Sequence, residues 1–226
     1  MKRPRAFGTP AAGKPQKRQK KAPASQKTFS KKMKAMELKS FDTALNFTYD
    51  VTTEVPATGQ LALIVEGDTI ANRDSQKIQV SSIQIRATLT YTPAAAAVAS
   101  DVTDLYLIYD KQPNGAAATV SGDANSVFTG TISSEMLRLV ANQDRFKILK
   151  HFQHTWNATA GVTTAYNRMS QSIDWYKKFD LPIHYGASAG AITDLRTGNL
   201  FLVAGTSGGS DDLVACTGNC RVRFFG

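Results

Sequence analysis

Cysteine is nearly absent. Cys216 and Cys220 are the only two in 226 residues, too few for a disulfide framework. A C-x3-C spacing with no further cysteine and no nearby histidine does not supply the four nitrogen and sulfur ligands of a structural zinc. Ordinary reduced thiols are expected, and an intracellular origin fits them. No apolar run approaches the roughly 20 residues needed to cross a bilayer, so membrane insertion is not expected. The opening "MKRPRAFGTP" is basic, with no apolar segment behind it, which argues against a secretory signal. Histidine is also scarce: His151, His154 and His184 are the full set. The chain has no G-x-x-x-x-G-K-[ST], so "GTSGGSDD" (205–212) reads as an inter-strand loop rather than a phosphate cradle. It has no G-x-S-x-G nucleophile elbow either. Asp211 and Asp212 are adjacent carboxylates without other placed oxygens, the pattern of a solvated loop rather than a hard-cation site. These absences leave no catalytic residue to name, and neither a cofactor nor a metal is expected.

What is present in excess is positive charge, and it is unevenly placed. The formal net charge is +9. Thirteen of the 27 Lys and Arg fall in residues 1–40, with one of the 18 acids, so that segment carries +12 and the remainder −3. Within it, "KRPRAFGTPAAGKPQKRQKKAPASQKTFSKKMK" has four prolines and almost no large apolar residue before Met33. Such a segment cannot bury enough surface to offset its ordering entropy, so residues 1–37 are expected to be a disordered arm. A solubilising role alone does not account for this density, because closely spaced like charges repel and lower their energy against a polyanion. The expected nucleic-acid contacts are Lys2, Arg3, Arg5, Lys14, Lys17, Arg18, Lys20, Lys21, Lys27, Lys31, Lys32 and Lys34. Lysines outnumber arginines, which favours neutralising phosphates over bidentate reading of bases. The clusters Lys2–Arg5 and Lys17–Lys21 also have the composition of a nuclear import signal, with the import machinery as partner.

With 42% hydrophobic residues, the remaining 38–226 can bury one sizeable core. Strand signals dominate it. "LNFTYDVTTEV" (Leu45–Val55) is aromatic and β-branched, and "KIQVSSIQIRATLTYT" (Lys77–Thr92) alternates, with a phase slip at Ser81–Ser82 that predicts a bulge. "DLYLIYD" (Asp104–Asp110) is a continuous apolar run of an interior strand, closed by a turn at Asn114–Gly115. "SIDWYKKFDLPIHY", "NLFLVAGT" and "CRVRFFG" are three further strands. Only "SSEMLRLVAN" (Ser133–Asn142) resembles a short helix. About eight strands joined by irregular loops predict an all-β antiparallel sandwich or jelly roll.

"HFQHTW" (His151–Trp156) decides whether any metal chemistry is in prospect. On a helix His151 and His154 would share a face. In "RFKILKHFQHTW", however, apolar and polar residues alternate, with Leu149 and Lys150 as exceptions, so a strand is expected. The two histidines then face opposite sides and cannot bind one ion. Phe152 and Trp156 are expected in the core, with His154 on their side needing a hydrogen-bond partner and His151 pointing away.

"IYDKQPNGA" (Ile108–Ala116) followed by "DRFKILKHFQHTW" (Asp144–Trp156) resembles the coat proteins of small circular single-stranded DNA viruses that encode a replication initiator, the geminivirus-like group. The resemblance runs through Asp110, Lys111, Pro113 and Gly115, then Asp144, Arg145, Phe146, Ile148, Leu149 and Lys150. Arg73, Lys77, Ile78, Ser82 and Ile83 are similar to an earlier R-x-G-x-K-[IV] segment and its strand, and "WYKKFDLPIHY", "LFLVAGT" and "CRVRFFG" to the later strands. Ser75 stands where the group often has Gly, and the Cys/His-rich segment of geminivirus coats is absent. The resemblance implies one jelly-roll subunit of a small icosahedral shell, T=1 with 60 copies, found in the virion and in the host nucleus during infection. Its arm would face a packaged single-stranded DNA genome, with Arg73, Lys77, Arg221 and Arg223 as candidate helpers on the inner surface. Two alternatives remain open: the coat of a small or satellite RNA virus, since a phosphate-reading arm barely separates DNA from RNA, and a monomeric β-sandwich nucleic-acid-binding module with a basic tail.

Overall fold

Apolar residues at every second position require a sheet with one face covered, and the structure supplies that cover with a second sheet. A computed structural model describes residues 37–49, 59–92, 100–119, 125–129, 137–157, 169–206 and 213–226. The strands are β1 (Leu38–Tyr49), β2 (Lys77–Thr92), β3 (Ser100–Asp110), β4 (Phe146–Asn157), β5 (Met169–Tyr185), β6 (Leu195–Thr197), β7 (Asn199–Thr206) and β8 (Leu213–Phe225). They form a five-stranded sheet in the order β1-β8-β2-β5-β6 and a three-stranded sheet in the order β4-β3-β7. Gln60 bridges to Phe201 on the free edge of β7. The chain therefore crosses between sheets at almost every connection, and all strand pairs are antiparallel. This is the jelly-roll path.

The main core fills the space between the sheets. From β2 it takes Ile78, Val80, Ile83, Ile85, Leu89 and Tyr91, from β3 Leu105 and Leu107, and from β8 Val214, Cys216, Cys220, Val222 and Phe224. The slip at Ser81–Ser82 is a register shift between Val80 and Ser82 against both β5 and β8. It returns the inward face from even to odd positions, as the sequence predicted.

A second shift, which the sequence registered only as two exceptions to alternation, lies in β4. Leu107 pairs with Lys150 and Ile108 with Ile148, leaving Leu149 as the extra residue. A one-residue bulge exchanges faces. Before it, Phe146 and Ile148 join Tyr106, Ile108, Ala118, Val127, Phe128, Phe201 and Val203 in a separate cluster on the outer side of the small sheet. After it, Phe152 and Trp156 face the main core. Trp156 stacks on Tyr91 at 5.5 Å and donates its Nε1–H to Thr103 Oγ1 at 2.9 Å.

The motif residues of the loop between β3 and β4 are a clamp. Buried Asp110 accepts from Arg145 Nε at 3.0 Å and from the second guanidinium nitrogen at 2.8 Å. Arg145 also donates to Asn125 Oδ1 at 2.9 Å, and Asp110 Oδ1 accepts from the Gln112 N–H at 2.9 Å. The helix expected at Ser133–Asn142 is not present in its described part. Arg138 bridges to Phe128, and only a 3-10 turn, Val140–Asn142, follows. Leu137 and Val140 are both exposed there, so no apolar stripe is buried to hold a helix in place. Residues 133–136 lie outside the described residues.

Candidate nucleic-acid interface

All twelve predicted arm contacts, Lys2 to Lys34, lie outside the described residues. The described surface begins where that arm joins it. Leu38 opens β1 opposite Phe225 of β8, and the outward side chains of the large sheet can be followed from that end by register. The first row is Ser40, Arg223, Ser82 and Lys178. The second is Asp42, Arg221, Gln84 and Tyr176, and the third is Ala44, Asn219, Arg86 and Asp174. Beyond them the rows are uncharged: Asn46, Thr217, Thr88 and Ser172, then Thr48, Ala215, Thr90 and Ser170. Cations and the aromatic are thus gathered at the end of the face that begins at Leu38.

Two bidentate pairs cross this region. Arg221 donates to Asp42 at 2.7 and 2.6 Å, and Arg86 to Asp174 at 3.3 and 3.1 Å. The Arg221 guanidinium holds the Asp42 carboxyl below its ordinary value. Between the pairs lies an open depression of ≈370 Å³ lined by Asp42, Gln84, Arg86, Asn219 and Arg221. The side chains of Arg86 and Asp174 are 69% and 62% exposed, and those of Arg221 and Asp42 are 46% and 50%. Exposed pairs of this kind are only weakly held against solvent.

The four body cations named from the sequence separate on inspection. Arg221 and Arg223 lie on this face, and the Arg223 guanidinium sits 5.9 Å from the Tyr176 ring. Lys77 is exposed at the end of β2, opposite His184. Arg73 is wholly buried. Its guanidinium donates to the carbonyls of Ile64 at 3.0 Å, Ser75 at 2.8 Å and Ala187, and to Glu66 Oε2 at 3.0 Å, and it stacks 4.1 Å from the Tyr185 ring. It cannot reach a phosphate; it ties the loop before β2 to the loop after β5. Lys39, counted with the basic segment by position, is likewise buried and donates to Asp74 and to the Thr69 carbonyl. The face also holds Arg86, Lys178 and Tyr176, which sequence reasoning missed. Alternation marks Arg86 as outward, but only the pairing of β2 with β5 and β8 brings these residues together.

The histidines lie on opposite sides of β4. His151 Nε2 is 2.6 Å from Asp104 Oδ1, with its ring stacked 4.3 Å from Tyr106 on the outer side. His154 is on the side of Trp156, its ring 6.2 Å away, and its Nε2 finds no hydrogen-bond partner among the described residues. No group of three or more His, Cys, Asp or Glu among the described residues is placed to hold a metal. Cys216 and Cys220 are free and buried, and burial pushes both thiols up to about 12.

The family described as geminivirus coat protein/nuclear export factor BR1 matches residues 1–225. The chain belongs to this family. A coat protein is a structural subunit, and in this jelly roll the resemblance residues Asp110, Arg145 and Arg73 hold loops in place, Asp110 pairing with Arg145 and Arg73 with Glu66. No curated protein matches the chain. Among solved structures, the crystal structure of the infectious bursal disease virus VP2 subviral particle matches at 13% identity and a TM-score of 0.26. The alignment covers 85% of this chain and 33% of that one, so the chain spans about a third of that protein's length.

Proposed function

We propose that this coat protein assembles into a closed icosahedral shell, T=1 with 60 copies, and packages a single-stranded DNA genome through its N-terminal arm. Residues 1–37 form the arm and 38–226 the shell domain. The observation that carries this is the charge division: +12 in the first 40 residues and −3 in the rest. With Lys39 taken up inside the body, the twelve cations from Lys2 to Lys34 are the arm's own. About 60 such arms bring some 700 positive charges to the shell interior, enough for several hundred phosphates. Attraction between arm and genome then offsets the confinement of the polyanion, while contacts between neighbouring jelly rolls close the shell. The basic clusters Lys2–Arg5 and Lys17–Lys21 serve the import machinery when the subunit enters the host nucleus, and the virion is its destination.

Electron microscopy of the purified protein tests assembly, and deletion of residues 1–36 tests packaging. The expected results are uniform small particles from the full chain, and empty particles or free subunits without nucleic acid from the deletion. A monodisperse monomer at every salt and pH would overturn the shell. Nuclease sensitivity of the packaged material separates DNA from RNA.

A further inference from the structure

Tyr176 is the one aromatic side chain among the described residues that is exposed, at 48%. It stands outward on β5, in a row with Gln84, Arg221 and Asp42, and Arg223 projects over its ring from the next row. We propose that the first three rows of the large sheet's outer face form a binding site for unpaired bases of single-stranded nucleic acid. Tyr176 is the stacking surface, Arg221 and Arg223 hold adjacent phosphates, and Gln84 and Asn219 offer amide groups to base edges. The site rests on the genome-packaging role but differs in chemistry from the arm, whose lysines neutralise phosphates and leave bases unread.

Three observations select this occupant. The depression beside Tyr176 is lined wholly by polar and charged side chains, whereas the centre of a subunit interface is depleted in charge and enriched in apolar contacts. Both bidentate Arg–Asp pairs are exposed, so phosphates can displace the carboxylates. Arg223 and Lys178 have no described acid paired to them, which leaves the first row positive. A broad sheet face does not enter a duplex groove, but an aromatic ring projecting from it stacks on a base that is already unpaired, without regard to sequence. One row crosses four strands, roughly 14 Å at about 4.8 Å per strand, which is room for two or three nucleotides.

The test compares binding of the full-length protein to a dT 20-mer and to an abasic phosphodiester of equal length, at about 0.3 M salt, where arm contacts are partly screened. The wild-type chain should prefer the base-bearing strand by about tenfold or more, the effect of one stacked base. Tyr176→Ala should abolish the preference while leaving the salt dependence of binding unchanged, and Tyr176→Phe should restore it. Equal affinity of the wild-type chain for both probes would overturn the site. So would a preference that survives Tyr176→Ala, which would place the stacking on arm residues such as Phe7 or Phe29. A Tyr176→Ala effect on particle formation with the base preference intact would instead make this face a subunit contact. If neither probe binds and the arm deletion changes nothing, it is the packaging role itself that fails.

Discussion

Arg73 offers the sharpest test of the line between architecture and genome contact. Its guanidinium is fully buried, donates to three carbonyls and one carboxylate, and stacks on Tyr185. Arg73→Met keeps the approximate volume and the stacking contact but removes every donor. Three carbonyls and the half-exposed Glu66 then lose a charge-assisted partner. Each such loss at a buried site costs about 1–3 kcal/mol, and breaking a buried pair from one side costs about 3–5 kcal/mol. Because Glu66 reaches solvent and can rehydrate, a total of about 3–5 kcal/mol is expected. Arg73→Lys keeps the charge but brings three donors from one nitrogen, too compact to serve four acceptors on different sides. Its cost should be about 2 kcal/mol. At a urea dependence of about 2 kcal/mol per molar, the denaturation midpoints of the unassembled subunit should fall by about 2 M and 1 M, followed through Trp156 and Trp175 fluorescence. Affinity of folded Arg73→Lys for single-stranded DNA should equal that of the wild type. Midpoints within about 0.3 M of the wild type, together with weakened DNA binding, would refute the assignment and return Arg73 to the genome-facing surface.

Two further predictions concern titration. Burial raises Cys216 and Cys220 from an ordinary 9.0 to about 12. The unfolded chain therefore releases these protons first, and the stability present below pH 9 declines above it, by about 3 kcal/mol for the two thiols together by about pH 10. Both should also resist a thiol reagent at neutral pH until the subunit is unfolded, and rapid stoichiometric labelling of the native protein would contradict the burial. At the acid end, burial holds His154 below its ordinary 6.5, opposed in part by Asp104. Here the unfolded chain binds the proton more readily, so stability present above pH 6.5 is lost as pH falls through it. Denaturation midpoints of His154→Gln should depend less on pH between about 7 and 5 than those of the wild type, and an unchanged slope would show that His154 binds its proton equally in the folded and unfolded states.

Much of the fold was legible because its strands obey period 2 over long stretches. β2 was readable from end to end, bulge included, since Ile83, Ile85, Ala87, Leu89 and Tyr91 keep strict phase after the slip. β7, Asn199–Thr206, was readable for the opposite reason: it is buried at every position and reads as one apolar block. β4 shows where period alone stops. Leu149 and Lys150 looked like defects in one alternating pattern, whereas they mark the joint between two patterns facing different clusters. An apolar residue on either face of β4 satisfies the alternation equally, so nothing local announces the exchange. β6, three residues long, lies below the length at which alternation carries information.

The candidate site divided along a different line. The arm was legible because its signal is compositional and needs no partner residue. The sheet face was not, because each of its parts has an ordinary local explanation. Arg86 and Asp174 read as solvated charges, and Tyr176 as one more strand aromatic. Their meaning comes from residues 88 and 179 positions apart in sequence arriving side by side through strand pairing. Arg73 misled in the reverse direction, since a basic residue beside Lys77 on a turn carries the local signature of a phosphate contact. What separates Arg73 from Arg221 is only burial and the number of carbonyls within reach. The same residue type thus does two jobs in this subunit. Where the backbone surrounds it, the guanidinium satisfies carbonyls and fixes loops; where a sheet presents it beside an exposed carboxylate, the proposed site has it exchange that partner for a phosphate. Because the body outside the basic segment carries −3, its overall field does not draw a polyanion in. Any contact between body and genome must therefore be local, at rows where cations outnumber acids, and the outer face near Leu38 meets that condition.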